Sequence, residues 1–314
     1  MPLDPHAKAY LERLAAAPTP KLWELPLAGA RQAFAATMAF MGPKDVPIGK
    51  VENIAMPGPG GNLKLRIYTP VAAGGEALPA LVFFHGGGFT IGDLDSHDGI
   101  CRLLASESGA RVVAVDYRLA PEHKFPAAAN DAYAAMCWIE ENAALLGVDA
   151  NRIAVGGDSA GATLSAVVCQ RAKEEDGPKI AAQLLMFPMT QLGGVFASLG
   201  EFAAGYLLDK QTIDWFLGNY VPSGTDPNDA RLSPLLADDV SGLPPAYVML
   251  GGCDPLHDEG LAYAQKLRAA GVDVTVADYP GMLHSFINLQ AVLPQAYTAL
   301  AAASKALREM LEES

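Results

Sequence analysis

Short apolar runs alternate with helix-compatible stretches along most of this 314-residue chain. From about residue 50 onward, runs rich in Val, Leu and Phe end at turn-forming residues and are followed by longer amphipathic segments. Residues 62–70, "NLKLRIYTP", alternate apolar and polar positions and are interpreted as an early edge strand. Six further runs lack this alternation: "PALVFFHGG", "ARVVAVDYR", "RIAVGGDS", "AAQLLMFP", "PAYVMLGG" and "VDVTVADYP". Strands covered on both faces have that character, so the pattern predicts an α/β fold with a mostly parallel central sheet flanked by helices.

Helical periodicity appears between and after these strands. One predicted apolar stripe consists of Ala129, Ala132, Tyr133, Met136 and Ile139, and a second, near the C-terminus, of Tyr297, Leu300, Leu307 and Leu311. The stretch "DEGLAYAQKLRAAG" is predicted to be a helix that ends at a glycine cap, Gly271.

Two segments depart from the strand–helix rhythm. Residues 1–45 are helical in character without strands, and residues 190–222 are rich in Leu, Phe, Tyr and Trp. We expect the two segments to pack together as a helical cap over one end of the sheet, with residues 46–314 as the main domain. Extra helices on the flanks of the sheet are the alternative.

Composition narrows the classes of partner and compartment. The chain has 35 acidic and 22 basic residues, a net charge of −13, and no cluster of Lys or Arg. Nucleic acid and membrane surfaces are therefore not expected partners. The uncharged run 180–200 contains Gln, Pro and Gly residues that a lone membrane helix tolerates poorly. The four cysteines form no CxxC pair and no signal peptide is recognisable, so a cytoplasmic, reducing location is expected.

The stretch "IAVGGDSAGATLSAVV" places a serine in a glycine-rich turn between a predicted strand and a predicted helix. Residues Gly157 to Gly161 fit G-x-S-x-G, and the strand-to-helix context is the one that this pattern requires. Small neighbours permit a sharp turn that exposes the Ser159 hydroxyl, and the following helix directs its N-terminus at the group which Ser159 attacks. Ser159 is therefore a candidate nucleophile, with a purely structural glycine turn as the alternative.

A second glycine cluster, His85-Gly86-Gly87-Gly88-Phe89, follows the strand "ALVFF". Its uncovered backbone N–H groups are suited to stabilise an oxyanion beside an activated serine. A phosphate cradle is the rival interpretation, but the Lys and Ser/Thr of a nucleotide-binding loop do not follow. His85 is interpreted as a brace for the loop.

A nucleophilic serine needs a base, and the base needs an orienting acid. Of the two histidines after Ser159, His284 follows the last predicted strand, and Asp254 follows the strand before it. Side chains at the carboxyl ends of parallel strands converge, so Asp254 and His284 are the predicted acid and base. His257 is the weaker candidate for the base. No metal-ligand spacing is present, so neither a metal nor a cofactor is expected.

With these residues, the sequence resembles the hormone-sensitive-lipase-like branch, the bacterial family IV esterases, of the α/β-hydrolase superfamily. The resemblance rests on "HGGGF", "DYRLAPEHKFPAA", "GGDSAG", "DPLHDEG" and "HSF", in that order, across roughly residues 80–290. It implies an α/β-hydrolase fold with Ser159 as nucleophile, Asp254 as acid, His284 as base, and Gly87, Gly88 and Ala160 as the oxyanion hole. It also implies a helical cap from residues 1–45 and 190–222, and a homodimer formed through the edge strand near residues 272–279. The sequence departs from the family where His257 replaces the usual Arg and Ala162 a common Gly.

The expected function is hydrolysis of small-molecule carboxylic esters with short to medium acyl chains, by way of an acyl-enzyme. Predicted pocket residues are Phe89, Phe202, Tyr206, Leu207 and Phe216, with Trp215 also considered; core packing is their alternative role. An amidase, formamidase or carbamate hydrolase would share every motif. A non-catalytic binding protein is a further alternative, because plant hormone receptors resemble this branch but lack the catalytic histidine.

Overall fold

A computed structural model describes residues 2–71, 74 and 77–313. Within this described part, eight strands form one sheet: β1 (Lys50–Gly58), β2 (Gly61–Thr69), β3 (Leu78–Phe84), β4 (Arg111–Asp116), β5 (Val148–Asp158), β6 (Ala182–Met186), β7 (Ala246–Cys253) and β8 (Val274–Leu283). Their order across the sheet is β1-β2-β4-β3-β5-β6-β7-β8. The strands from β4 to β8 along this order pair in parallel, whereas β2 is antiparallel to both of its neighbours. The predicted mostly parallel sheet is confirmed.

One strand prediction is wrong in its position. The segment 62–70 was expected at the edge of the sheet, but β1 pairs along its outer side, from Lys50 with Thr69 to Gly58 with Gly61. β1 has no compact apolar run, because most of its side chains are exposed or half-buried and only Met56 is buried. Hydrophobic periodicity therefore gives little signal for it.

Ten α-helices surround the sheet within the described residues: α1 (Pro5–Ala16), α2 (Leu27–Met41), α3 (Asp98–Ser108), α4 (Ala127–Glu141), α5 (Ala143–Leu146), α6 (Ala160–Glu174), α7 (Ala197–Glu201), α8 (Lys210–Tyr220), α9 (His257–Ala269) and α10 (Pro294–Glu312). Short 3₁₀ turns occupy Leu22–Glu24, Pro234–Leu236 and Phe286–Asn288. None of the described helices combines the length and the apolar character that crossing a membrane takes.

The predicted helical stripes largely agree with the observed burial. All five predicted residues of α4 are buried. α9 ends before Gly271, which has φ = 84°, the left-handed geometry of a glycine cap. In α10, Leu300, Leu307 and Leu311 are buried, but Tyr297 is 51% exposed. Small alanines, invisible to a search for large apolar residues, complete the buried face of α10.

The core lies on both faces of the sheet. Successive residues of β3 alternate between the two faces: Val82 belongs to the cluster covered by α4, α6 and α9, whereas Leu81 and Phe83 belong to the cluster covered by α3 and α10. This double cover explains why the central strands are continuously apolar. It also leaves the carboxyl ends of the parallel strands as the place where polar side chains can meet.

Candidate active site

Ser159 occupies a strained turn between β5 and α6. Its φ of 52° and ψ of −118° lie outside the regions that L-residues favour, and its N–H donates to the Met186 carbonyl at 2.7 Å. A Cβ at either Gly157 or Gly161 would overlap the carbonyl of Phe84. The glycines of the motif therefore allow β5, α6 and the end of β3 to approach closely enough to form this turn.

A chain of two hydrogen bonds leads from Ser159 to a buried carboxylate. The Ser159 Oγ lies 2.9 Å from Nε2 of His284, and Nδ1 of His284 lies 2.7 Å from Oδ2 of Asp254. Because a carboxylate only accepts, Nδ1 carries the ring proton and Nε2 is left to accept the Ser159 hydroxyl proton. Asp254 is 1% exposed, and its Oδ1 accepts the Leu256 N–H at 2.8 Å. The three residues expected to converge are thus joined in the order that general-base catalysis needs.

In the loop of residues 85–90, called the glycine loop here, two carbonyls accept hydrogen bonds from the loop itself. His85 Nδ1 donates to the Gly86 carbonyl at 2.7 Å, and the Gly87 carbonyl accepts the Thr90 N–H at 3.0 Å. In a trans peptide each N–H points opposite to the preceding carbonyl. The N–H groups of Gly87 and Gly88 consequently face away from these contacts and remain for another acceptor.

Glycine is required at both positions. Gly87 has φ = 113° and Gly88 has φ = 57°, and a Cβ would overlap the Ile91 carbonyl in the first case and the Phe216 ring in the second. Ala160 is the first residue of α6, so its N–H has no acceptor within the helix. Gly87, Gly88 and Ala160 line the same cavity as Ser159 and His284. The arrangement can present backbone donors to a charge that develops beside Ser159.

Asp158 ties the serine turn to three other segments of the chain. Its Oδ1 accepts the Gly86 N–H at 2.9 Å and lies 3.3 Å from Nε2 of His97, and its Oδ2 accepts from Asn288 Nδ2 at 3.4 Å. Burial raises the pKa of Asp158, but the His97 ring and the Gly86 N–H outweigh burial and hold that pKa below its ordinary value. An ionised Asp158 therefore fixes the glycine loop against Ser159.

His85 braces the glycine loop from below, in agreement with the sequence interpretation. Its ring stacks on Tyr117 at 4.3 Å with an interplanar angle of 16°, and the Tyr117 hydroxyl donates to the His85 carbonyl at 2.7 Å. Burial, together with the nearby His97 ring, lowers the pKa of His85 to about 4. The ring is thus neutral at pH 7, which suits a hydrogen-bonding brace. Tyr117 comes from "DYRLAPEHKFPAA", so that loop supports the site.

A cavity of about 600 Å³ opens above Ser159 and His284. Its walls come largely from the two segments predicted as a cap, with side chains of α1 and α2 on one side and of α8 on another. Phe89, Leu207 and Phe216 are in the lining, as predicted. Phe202 and Tyr206 pack ring against ring at 4.9 Å, outside the residues that line the cavity, and Trp215 is also outside them.

The wall from α1 and α2 was not identified residue by residue from the sequence. Leu11, Leu14, Phe34 and Met38 line the cavity, whereas the sequence predicted only that the segment 1–45, which contains them, belongs to a cap. The available signal was a set of apolar side chains in helices that have no strand to cover. Their positions toward the cavity depend on how α1 and α2 pack.

The carboxylates at the start of α9 hold the segment that leads to α8. Oε2 of Glu259 accepts the N–H groups of Thr190 and Gln191 at 2.7 and 2.8 Å, and Oδ2 of Asp258 accepts the Ser198 N–H at 2.9 Å. Burial raises the pKa of Glu259 to about 8. Both residues lie in the first turn of α9, but their contacts reach another segment of the chain.

His257 lies outside the hydrogen-bonded chain of Ser159. Its Nδ1 is 2.9 Å from Oδ1 of Asp258, and its Nε2 is 3.4 Å from Oδ2 of Asp278 in β8. The ring therefore links α9 to the edge strand. Among the described residues, no group of three or more His, Cys, Asp and Glu is arranged to hold a metal ion.

The chain is similar in sequence and in structure to known α/β-hydrolases. Residues 81–288 match the model of a family described as having the alpha/beta hydrolase fold. Carboxylic ester hydrolase LipN of Mycobacterium tuberculosis is 49% identical over 245 residues, which are 76% of this chain and 65% of LipN. Ethyl acetate hydrolase of Pseudomonas putida is 40% identical over 254 residues, 80% of each chain. The crystal structure of an alpha/beta hydrolase enzyme from the metagenome of Lake Arreo, Spain, superposes with a TM-score of 0.97 at 42% identity and covers 99% of both chains.

Proposed function

The chain belongs to the hormone-sensitive-lipase-like branch of the α/β-hydrolases, and we propose that it is a serine carboxylesterase which works through an acyl-enzyme at Ser159. One observation carries the mechanism: the continuous hydrogen-bonded chain from Ser159 through His284 to the buried Asp254, with links of 2.9 and 2.7 Å. No ligand-binding role needs such a chain, because a bound ligand gains nothing from an activated hydroxyl.

Acylation begins when His284 Nε2 takes the hydroxyl proton as Ser159 Oγ attacks the ester carbonyl. Asp254 holds the ring in the required tautomer and stabilises the imidazolium. The carbonyl oxygen becomes an oxyanion that accepts the N–H groups of Gly87, Gly88 and Ala160. The bond to the alcohol oxygen then breaks, and the alcohol leaves with the proton held by His284.

Deacylation repeats these steps with water in place of Ser159 as nucleophile. His284 removes a proton from the water, the oxyanion forms again on the same donors, and the acid leaves as Ser159 recovers its proton. No residue outside the set already described and no cofactor is needed for this cycle.

The proposed substrates are neutral esters with short to medium acyl chains. The lining residues Leu11, Leu14, Phe34, Met38 and Phe216 give the cavity apolar walls, and a volume of about 600 Å³ suits a small molecule. The two segments that form these walls, residues 1–45 and 190–222, act as a cap on the domain of residues 46–314. The printed name of the ethyl acetate hydrolase supports short esters as substrates.

A homodimer through β8 and a cytoplasmic location complete the proposal. β8 stands last in the strand order and pairs with β7 on one side, so no other described strand pairs with its outer edge, where a second copy would add. Near the end of β8, the Gly281 carbonyl accepts the Asp4 N–H at 3.1 Å. Sedimentation velocity of the native chain tests the assembly: a single monomeric species at micromolar concentration would rule out the dimer.

The function is tested by hydrolysis of p-nitrophenyl acetate, butyrate, octanoate and palmitate. We expect turnover of the shorter esters, and a loss of up to ~10⁶ in kcat in Ser159→Ala, because the hydrogen-bonded residues act as a unit. Ser304→Ala is the matched control: Ser304 is a buried helical serine whose hydroxyl donates to the Leu300 carbonyl, and it is not among the residues that line the cavity. A folded native chain that hydrolyses none of these esters refutes the proposal, and amides, formamides and carbamates become the next substrates.

A further inference from the structure

The glycine loop is held from outside by both cap segments. Arg31 of α2 donates through Nε to the Thr90 carbonyl at 3.0 Å. The Phe216 ring of α8 lies so close to Gly88 that a Cβ there would overlap it. The Phe89 ring stacks on Tyr220 of α8, with centroids 4.0 Å apart and an interplanar angle of 11°. Three consecutive residues of the loop, 88 to 90, therefore each contact a cap side chain.

Arg31 joins three parts of the molecule. Besides the Thr90 carbonyl, its Nη2 donates to the Ala120 carbonyl at 3.0 Å, and both terminal nitrogens bind the Glu122 carboxylate at 2.9 and 2.7 Å. The Ala120 N–H in turn donates to the Phe89 carbonyl at 2.8 Å. A guanidinium offers five donors in a rigid plane, and Arg31 uses four of them. Two of the four fix the loop, at Thr90 directly and at Phe89 through Ala120.

The consequence for the oxyanion donors follows from peptide geometry. The carbonyl of Gly88 accepts the Thr90 hydroxyl at 3.1 Å, and that of Gly87 accepts the Thr90 N–H at 3.0 Å. Thr90 thus orients the peptide plane that carries the Gly88 N–H, and Arg31 anchors Thr90. A shift of Thr90 moves the Gly88 N–H relative to Ser159.

We propose that Arg31 is a positioning residue which couples docking of the N-terminal cap segment to the geometry of the oxyanion hole. This inference rests on the proposed function. Arg31 is not among the residues that line the cavity, so it acts on the reaction without touching the substrate. The cap therefore contributes to the chemical step as well as to substrate binding.

The decisive variant is Arg31→Ala, measured with p-nitrophenyl butyrate at a temperature where the variant is folded. We expect kcat to fall about tenfold to a hundredfold, since a misplacement of about 1 Å can cost that much, while KM changes less than about threefold because no lining side chain is altered. Arg152→Ala is the matched control: Arg152 has 33% of its side chain exposed against 30% for Arg31, and it pairs with Asp149 at 2.8 Å near the start of β5.

A second variant separates the ion pair from the carbonyl contacts. Glu122→Gln removes the charge opposite Arg31 but leaves the bonds to the Thr90 and Ala120 carbonyls possible. We expect kcat of Glu122→Gln to stay within about threefold of the native value, the size of effect that a half-exposed ion pair has. Equal losses of kcat in Glu122→Gln and Arg31→Ala would assign the effect to the ion pair and overturn the positioning role.

Inhibitor binding gives a readout that a structural role would not change. In trifluoromethyl hexyl ketone, Ser159 Oγ adds to the carbonyl carbon, the hydroxyl proton passes to His284, and the negative oxygen occupies the oxyanion site; methyl hexyl ketone binds without this addition. In Arg31→Ala the inhibition constant of the trifluoromethyl ketone should rise by the same factor as kcat falls, and that of the methyl ketone should stay constant. Equal rises for both ketones, or a kcat within about twofold of the native value, overturn the proposal.

The failure of this inference is distinguishable from the failure of the proposed function. Ester hydrolysis that is lost in Ser159→Ala but keeps its native kcat in Arg31→Ala refutes only this inference, whereas a native chain without esterase activity refutes the proposed function.

Discussion

The two sides of the cavity are built in different ways. We call the side formed by Ser159 and His284, together with the Asp254 that His284 contacts, the floor, and the side formed by α1, α2 and α8 the roof. α6, which follows Ser159, buries most of its residues between the sheet and α4, and Asp254 and His284 follow directly on β7 and β8. In the roof, by contrast, the buried residue of α2 is Ala30, and the buried residues of α8 are Thr212 and Tyr220. Burial on this scale fixes the floor far more firmly than the roof, because buried apolar area is the main source of stability.

This difference in burial suits the floor and the roof to two different proposed roles, proton transfer and accommodation of the acyl chain. The proposed proton transfer from Ser159 to His284 is sensitive to misplacements of about 1 Å, and a packed sheet edge holds the two side chains in place. Admission of differently sized acyl chains requires walls that can adapt, and helices with few buried residues open at a low free-energy cost. Substitutions in the floor should therefore reduce kcat for every ester, and substitutions in the roof should change KM according to chain length. Arg31 is the one proposed exception: it lies in α2 of the roof, but its substitution should reduce kcat because it donates to the Thr90 carbonyl of the glycine loop.

The largest effect that tests the comparison is expected for Asp254→Asn in the floor. An amide at this position lets His284 adopt the wrong tautomer, so Nε2 no longer accepts the Ser159 proton, and kcat should fall by about 10⁴. The loss of kcat should be equal for acetate and octanoate esters, because the proposed roles of the floor residues concern the ester group and not the length of the acyl chain. The measurement is kcat and KM for both esters at pH 7, with circular dichroism as the check on folding. A loss confined to one ester would contradict the division between floor and roof.

The floor was predictable from the sequence because its signals are local. The turn at Ser159 needs Gly157 and Gly161 within two residues of it, so the whole requirement is written in five consecutive positions. Asp254 and His284 were located by a second rule, that polar residues after parallel strands meet at one edge. Both rules depend on elements whose apolar runs are strong.

The roof was less predictable because its contacts are not local. Phe202 and Tyr206 resemble Phe216 in the sequence, yet the first two pack on each other and Phe216 reaches the cavity. Which face of a helical segment turns inward depends on the helices against which it packs. Arg31 gave no signal at all, since its partner Glu122 lies 91 positions away. β1 was missed for a related reason. It has few buried residues, and it is a strand because its backbone pairs with β2.

A smaller effect is expected for a substitution in the roof. Leu14 lines the cavity and is 39% exposed. We expect a long acyl chain, but not an acetyl group, to contact it, so Leu14→Ser should weaken binding of the long chain only. Loss of about 1 kcal/mol of apolar contact corresponds to a rise of roughly fivefold in KM for the octanoate ester. The KM for the acetate ester and the kcat for both should remain unchanged.

The control for the Leu14 variant is Leu145→Ser. Leu145 lies in α5, is 80% exposed, and is not among the residues that line the cavity, so the same change of side chain should leave both esters unaffected. An equal rise of KM for acetate and octanoate in Leu14→Ser would show that the roof does not distinguish chain length.

The smallest effect is expected where α9, beside the floor, meets the edge strand. Burial lowers the pKa of His257, but Asp258 and Asp278 outweigh burial, and the pKa is raised overall. A histidine with a raised pKa in the folded state stabilises the fold fully below its unfolded pKa of about 6.5, and this contribution is lost as the pH rises through the folded value. His257→Arg keeps the positive charge, so the loss of stability attributable to this site between pH 6 and 8 should disappear. The expected difference is under about 1 kcal/mol after solvent screening, measured by urea unfolding at both pH values. His123→Arg, at an exposed position, controls for the added charge; an unchanged pH dependence in His257→Arg would show that His257 does not link α9 to β8 through its charge.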